Sequence, residues 1–264
     1  MLHKGFSNSG RIVGLFRVVA AGALVATVSF IGAGVDAGAS TTPSCTSTNF
    51  WQDGIDLTAA QIGGSVTGDL NASGCNIGVY NPSSVSNATI SGLAGETAPN
   101  YYGILVNGQD SQGTSANVVV SDSQISGVGE LPENGAQHGV AIAFINGASG
   151  TVSSNVITGY QKGGVVVKSG SSVNVLANEV VGLGPVDFIA QNGIEFFNAS
   201  GVVRGNLIAD NYYTACPIPL ANSTGSCTDW VSTGILLYSV VPSAVKVSEN
   251  FFRGDQRNQY LIPA

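Results

Sequence analysis

Charge is scarce in this chain. Asp, Glu, Lys and Arg make up 9% of its 264 residues, and acidic residues outnumber basic ones 16 to 9. No basic stripe is available to neutralise phosphates, so nucleic-acid binding is disfavoured. Histidine is scarcer still, with two residues, His3 and His138. His3 falls in the leader described below, so one mature chain cannot build a multi-histidine metal site. The four cysteines include no C-x-x-C pair, which argues against zinc. The motifs G-x-x-x-x-G-K-[ST], G-x-S-x-G and H-E-x-x-H are absent. Low charge does not signal disorder here. Hydrophobic residues reach 44% and glycines number 36, the composition of an all-β chain rich in turns.

What the chain does have is a repeat, V-x-x-[N/S/A]-x-[I/V/F]-x-[G/D]. Its copies are Val85-Ala88-Ile90-Gly92, Val120-Ser123-Ile125-Gly127, Val152-Asn155-Ile157-Gly159, Val175-Asn178-Val180-Gly182, Val203-Asn206-Ile208-Asp210 and Val247-Asn250-Phe252-Gly254. Successive valines are 35, 32, 23, 28 and 44 residues apart. A floor of 23 with variable excess reads as a solenoid carrying loop insertions. A Gly-led apolar run precedes most copies, at Gly103, Gly139, Gly164, Gly193 and Gly234. Each coil is expected to hold two short strands separated by turn residues. The length would allow two domains, but the repeats cross any midpoint and imply one.

Stacking explains the pattern. Side chains alternate along a strand, so the Val and the Ile can both face inward only across a turn. The Asn at position four sits at that turn. Stacked coils would align Asn155, Asn178, Asn206 and Asn250 in one amide column. Asn also tolerates the left-handed backbone that a sharp turn needs. The valines and the Ile/Val/Phe set form two further columns, and each coil completes the core of its neighbour. About eight coils are expected.

These residues resemble the right-handed parallel β-helix repeat proteins of the pectin-lyase-like superfamily, over roughly residues 77–254. The resemblance implies an all-β, single-stranded right-handed parallel β-helix, and the handedness comes from the resemblance alone. The superfamily hosts lyases, hydrolases, epimerases, tail spikes and adhesins, so the fold does not choose an activity. Pectate lyases use an Arg near a Ca²⁺-binding acidic cluster. Here Arg204 shares its column with Ser121, Ser153, Leu176 and Ser248, so it reads as a surface residue. The paired Asp, Gly-His-Gly and Arg-x-Lys of polygalacturonases are absent.

Residues 1–39 read as a secretory signal peptide. Lys4, Arg11 and Arg17 precede an apolar stretch from Val18 to Val35, and Ala37-Gly38-Ala39 offers a cleavage site. An uncleaved anchor is the alternative, since 18 apolar residues approach a span. After cleavage no membrane span is expected. Removing the leader takes away Lys4, Arg11, Arg17 and Asp36. It leaves six basic and 15 acidic residues, a net charge of −9. The even cysteine count in an exported chain suggests two disulfides. Local pairing, Cys45–Cys75 and Cys216–Cys227, is preferred among three connectivities. The domain is expected over residues 40–264, with an N-terminal cap over 40–76 and a C-terminal tail over 255–264.

The insertions leave from one corner of the coil and so share one side of the solenoid, where repeat folds often bind. That side carries His138, Tyr160, Asp187, Asp210, Tyr212, Tyr213 and Trp230. Aromatic faces suit sugar rings, and carboxylates suit acid–base work or Ca²⁺; no other cofactor is expected. If the residue after each lead Gly points inward, Leu105, Ala141, Val166, Glu195 and Leu236 point outward. Two residues further, Asn107, Ala143, Lys168, Phe197 and Tyr238 do the same. Glu195 is the one carboxylate on a rigid strand in this face, with Lys168 as diagonal neighbour, which makes it the preferred catalytic acid. The expected ligand is a polysaccharide or cell-surface glycan, neutral or bridged by Ca²⁺, bound along the loop side. Whether it is also cleaved stays open, and so does the oligomeric state. The alternative is a non-catalytic cell-surface or envelope protein of adhesion or structure.

Overall fold

A computed structural model describes residues 43–92, 94–95, 100–109, 117–215, 231–241 and 243–263, all within the unit Thr41–Ala264. Residues 1–39, where a signal peptide was expected, and Cys216, Cys227 and Trp230 lie outside the described residues. Among those described, every regular element is a strand.

The strands form two long sheets. The first has nine strands. In spatial order they are β1 (Thr46–Gln52), β2 (Ile55–Ile62), β4 (Ile77–Tyr80), β7 (Tyr102–Asn107), β10 (Val140–Ile145), β13 (Gly163–Lys168), β16 (Asn192–Phe197), β19 (Thr233–Val240) and β22 (Arg257–Pro263). All pairings are parallel except β1 with β2. The second sheet bends at β5 (Ser84–Ser91). One limb runs through β8 (Val118–Ser121), β11 (Ser149–Ser153), β14 (Ser172–Leu176), β17 (Ser200–Arg204) and β20 (Val245–Ser248). The other runs through β9 (Gln124–Glu130), β12 (Val156–Tyr160), β15 (Glu179–Val186), β18 (Leu207–Tyr213) and β21 (Phe251–Arg253). β3 (Ser65–Asn71) pairs with β5, and the short β6 (Ala94–Gly95) with β9.

A coil therefore holds three strands, as in β13–β14–β15, where two were expected. The repeat itself spans two of them, with the corner at position four. Val85, Val120, Val152, Val175, Val203 and Val247 stand in register across neighbouring strands. So do Ile90, Ile125, Ile157, Val180, Ile208 and Phe252. In both columns every residue before the last coil is 0% exposed, and Val247 and Phe252 are half-buried. Together they fill the interior between the sheets.

The corner corrects one expectation. The left-handed residue is not the Asn but the one before it. Asn87, Asp122, Ser154, Ala177, Gly205 and Glu249 have φ from +49° to +69°. That twist turns the following side chain inward, where Asn155, Asn178 and Asn206 are buried. Close approach of the limbs explains the lead glycines. A Cβ on Gly164 would lie 2.4 Å from Val180 Cγ1 and 2.5 Å from the Gly193 carbonyl oxygen.

The ends also differ from the expected boundaries. β2 and β3 pair in parallel with β4 and β5, so residues 55–71 already form a coil, and only β1 crosses antiparallel. Cys45 and Cys75 are bonded, with Cα atoms 5.4 Å apart, and tie this end together. The expected tail is β22, the last strand of the first sheet.

Candidate functional site

The site is built on the outer face of the first sheet. Register aligns Leu105, Ala143, Val166, Glu195, Leu236 and Tyr260 in one column. Lys168, Phe197, Tyr238 and Ile262 form the next. One coil was misread by two residues. Ile142 lies opposite Ile104 and Val165, so Ala141 takes the lead-glycine position and points inward, and Ala143 joins the Glu195 column.

The two halves of this face differ. Leu105, Ala143, Ile145 and Val166 are buried in a second apolar cluster with Tyr80, Tyr101 and Tyr102, and Phe50 of β1 packs against it. Beyond Val166 the face opens. Three adjoining cavities share Gln137 and Lys162 as lining residues, and two of them share Glu195. The largest is about 370 Å³ and reaches Tyr238, Tyr260 and Ile262. Another reaches back to Gln52 and Tyr102. Together they make a groove that crosses the strands from β7 to β22.

Polar groups in the groove are held firmly. Asn192 Nδ2 donates to Glu195 Oε2 at 2.8 Å, and Thr233 Oγ1 donates to Asn192 Oδ1 at 2.8 Å. Lys162 Nζ donates to the Ala190 carbonyl at 2.8 Å. The segment under it is pinned by buried Gln191, whose amide donates to the Tyr160 carbonyl at 2.7 Å and accepts from Leu183 N–H at 3.1 Å. Lys162 makes no ion pair among the described residues. Burial lowers its pKa, and the charge of Glu195 opposes that in part.

Aromatic surface lies beside these groups. The Phe197 and Tyr238 rings have centroids 4.9 Å apart and are 36% and 40% exposed. The Arg257 guanidinium sits 4.7 Å from the Tyr260 ring centroid.

Of the residues picked from sequence, Glu195, Lys168, Phe197 and Tyr238 meet in this groove, and Tyr213 lines its upper end. The others do not. Tyr160 is fully buried in the interior, its hydroxyl donating to Asn211 Oδ1 at 2.7 Å. His138 is buried, paired through Nε2 with Glu130 and packed 4.3 Å from the Tyr101 ring centroid. Its neighbour Gln137 reaches the groove instead. Asp210 faces Arg253 at 3.6 Å. Asp187, Asp210 and Tyr212 are not among the described residues lining the three cavities. Among the described residues, no group of three or more His, Cys, Asp or Glu side chains is placed to hold a metal.

Gln137 and Asn192 were not picked as site residues, and Lys162 counted only as one of the loop-side residues, with no role assigned. The one available signal was their place just before a Gly-led or Ala-led strand, at the corner from which the insertions leave. Comparison with known protein families, curated proteins and solved structures finds no match to this chain.

Proposed function

We propose that the groove binds a polysaccharide laid along the stacked coils of a secreted, right-handed parallel β-helix. One observation carries this reading. An exposed aromatic pair, Phe197 and Tyr238, stands beside anchored hydrogen-bonding groups, Asn192, Glu195 and Lys162, in a groove that crosses six strands. Five strand spacings of ~4.8 Å give about 24 Å, a length that suits an extended polymer. Flat apolar faces with polar rims match sugar rings, which are apolar on one face and hydroxylated at the edge.

Cleavage is a second step of the same reading. Among the described residues Glu195 is the one carboxylate lining the cavities, mounted on a strand and oriented by Asn192. It is the proposed acid, with the Lys162 amine beside it.

The test is a glycan array probed with the wild-type protein and with Phe197→Ala/Tyr238→Ala. A hit lost in the double variant supports the reading, and equal binding by both proteins rejects the groove. Reducing-end and unsaturated-product assays on the bound glycan, with and without Ca²⁺, then separate an enzyme from an adhesion protein.

A further inference from the structure

Lys162 has a combination of features that glycan binding does not require. Lys162 and Gln137 are the two side chains that line all three cavities. Its backbone lies next to Gln161, which is 1% exposed and donates to the Ala136 carbonyl at 3.1 Å. The amine is thus delivered to the cavity wall from a fixed base. Among the described residues its one hydrogen-bond partner is a carbonyl, Ala190 O at 2.8 Å. A carbonyl can accept from an ammonium or from a neutral amine, and unlike a carboxylate it brings no full negative charge to hold the proton on.

We propose that Lys162 is a nucleophilic amine that captures hydroxylated aldehydes, the open-chain reducing end of a sugar included, as an imine. In the step, the Nζ lone pair attacks the carbonyl carbon and one Nζ proton passes to the carbonyl oxygen. The carbinolamine then expels that oxygen as water, a C=N bond replaces C–O, and the second Nζ proton goes to solvent. Glu195, lining two of the same cavities, relays the proton from solvent to the departing hydroxyl. Atoms balance as amine plus aldehyde giving imine plus water, with no oxidant or reductant. Burial favours the neutral amine that the attack needs. Asn192 and Gln137 offer amides to the hydroxyls of the incoming aldehyde.

The inference stands apart from the polysaccharide reading, because trapping needs no polymer. The probe is glyceraldehyde with cyanoborohydride at neutral pH, read by peptide mass mapping. Lys246, outside the groove, serves as the internal reference. Lys162 is expected to be alkylated several-fold faster than Lys246 in the folded protein, and at the same rate in denaturant. Glu195→Gln is expected to slow labelling of Lys162 severalfold at saturating aldehyde, with Lys246 unchanged. Labelling of folded Lys162 no faster than of Lys246 overturns the proposal, whatever the glycan array shows.

Discussion

Asn155 Nδ2 donates to Asn178 Oδ1 at 2.9 Å, and the backbone N–H of Asn155 donates to the same oxygen at 3.0 Å. Asn178 in turn gives its Nδ2 to the Val152 carbonyl and repeats both bonds with Asn206. The Asn178 amide therefore serves the Asn155 N–H, one hydrogen of Asn155 Nδ2 and the Val152 carbonyl, and also meets Asn206 Oδ1. Asn178→Leu would orphan the Asn155 N–H and the Val152 carbonyl and leave Asn155 Nδ2 with its Val120 bond alone. At about 1–3 kcal/mol for each buried orphan, the loss is expected to reach about 2 kcal/mol or more. Urea denaturation measures it, and a loss under about 1 kcal/mol would show that the ladder contributes little.

The same corner shows what the sequence could and could not disclose. The Val, Asn and Ile columns were legible because stacking demands one residue type at each inward position. The left-handed position before the Asn was not. It holds Asn, Asp, Ser, Ala, Gly and Glu in turn, since only its backbone angle matters and its side chain faces away from the core. The slip at Gly139 has a similar origin. Two small residues, Gly139 and Ala141, flank the first residue of that strand, and only pairing of Ile142 with Ile104 decides between them. Glu195 and Lys168 followed from strand alternation. Lys162 and Gln137 sit in corners of variable length, where no period predicts direction.

Asp255 of the last coil holds the Asn211 amide of the coil before it. Its Oδ1 accepts from the Asn211 N–H at 3.0 Å and from Nδ2 at 2.8 Å, while Oδ2 is buried without a partner among the described residues. Burial raises its pKa and nearby Asp210 adds to that, while the Asn211 bonds oppose. A folded-state pKa above the unfolded one means that stability is lost as pH rises from the ordinary carboxylate range through the raised value. Asp255→Asn keeps the Oδ1 acceptor and removes the charge. The variant is expected to melt above wild type at neutral pH, and the gap is expected to shrink toward about pH 3. A lower melting temperature at neutral pH would contradict this account.

The Cys45–Cys75 bond closes a separation of 30 residues across β1, β2 and β3. Its loss should loosen the only antiparallel strand of the first sheet. Cys45→Ser/Cys75→Ser is expected to cost about 3 kcal/mol, from loop-closure entropy returned to the unfolded chain. Hydrogen exchange should rise first in β1. Unchanged stability in denaturant would show that β1 pairing suffices alone.

Lys162 gives the prediction that ties stability to the site. Its folded-state pKa is lowered, chiefly by burial, so the folded protein disfavours the charged form. The sign is that of a depressed group. Above the unfolded lysine value of about 10.4 the amine is neutral in both states and costs nothing. As pH falls through the folded value, the unfolded chain takes up the proton more readily, and stability drops. Lys162→Met keeps much of the apolar stem and removes the charge. It is therefore expected to stabilise the protein at neutral pH, with the advantage fading as pH rises past about 10.4. The residue would then be retained at a cost in stability, as expected of a side chain kept for chemistry. Denaturation series at neutral and alkaline pH measure the difference. An advantage that grows with pH would mean that the ammonium is favoured by its surroundings, and would remove the case for a neutral amine in the groove.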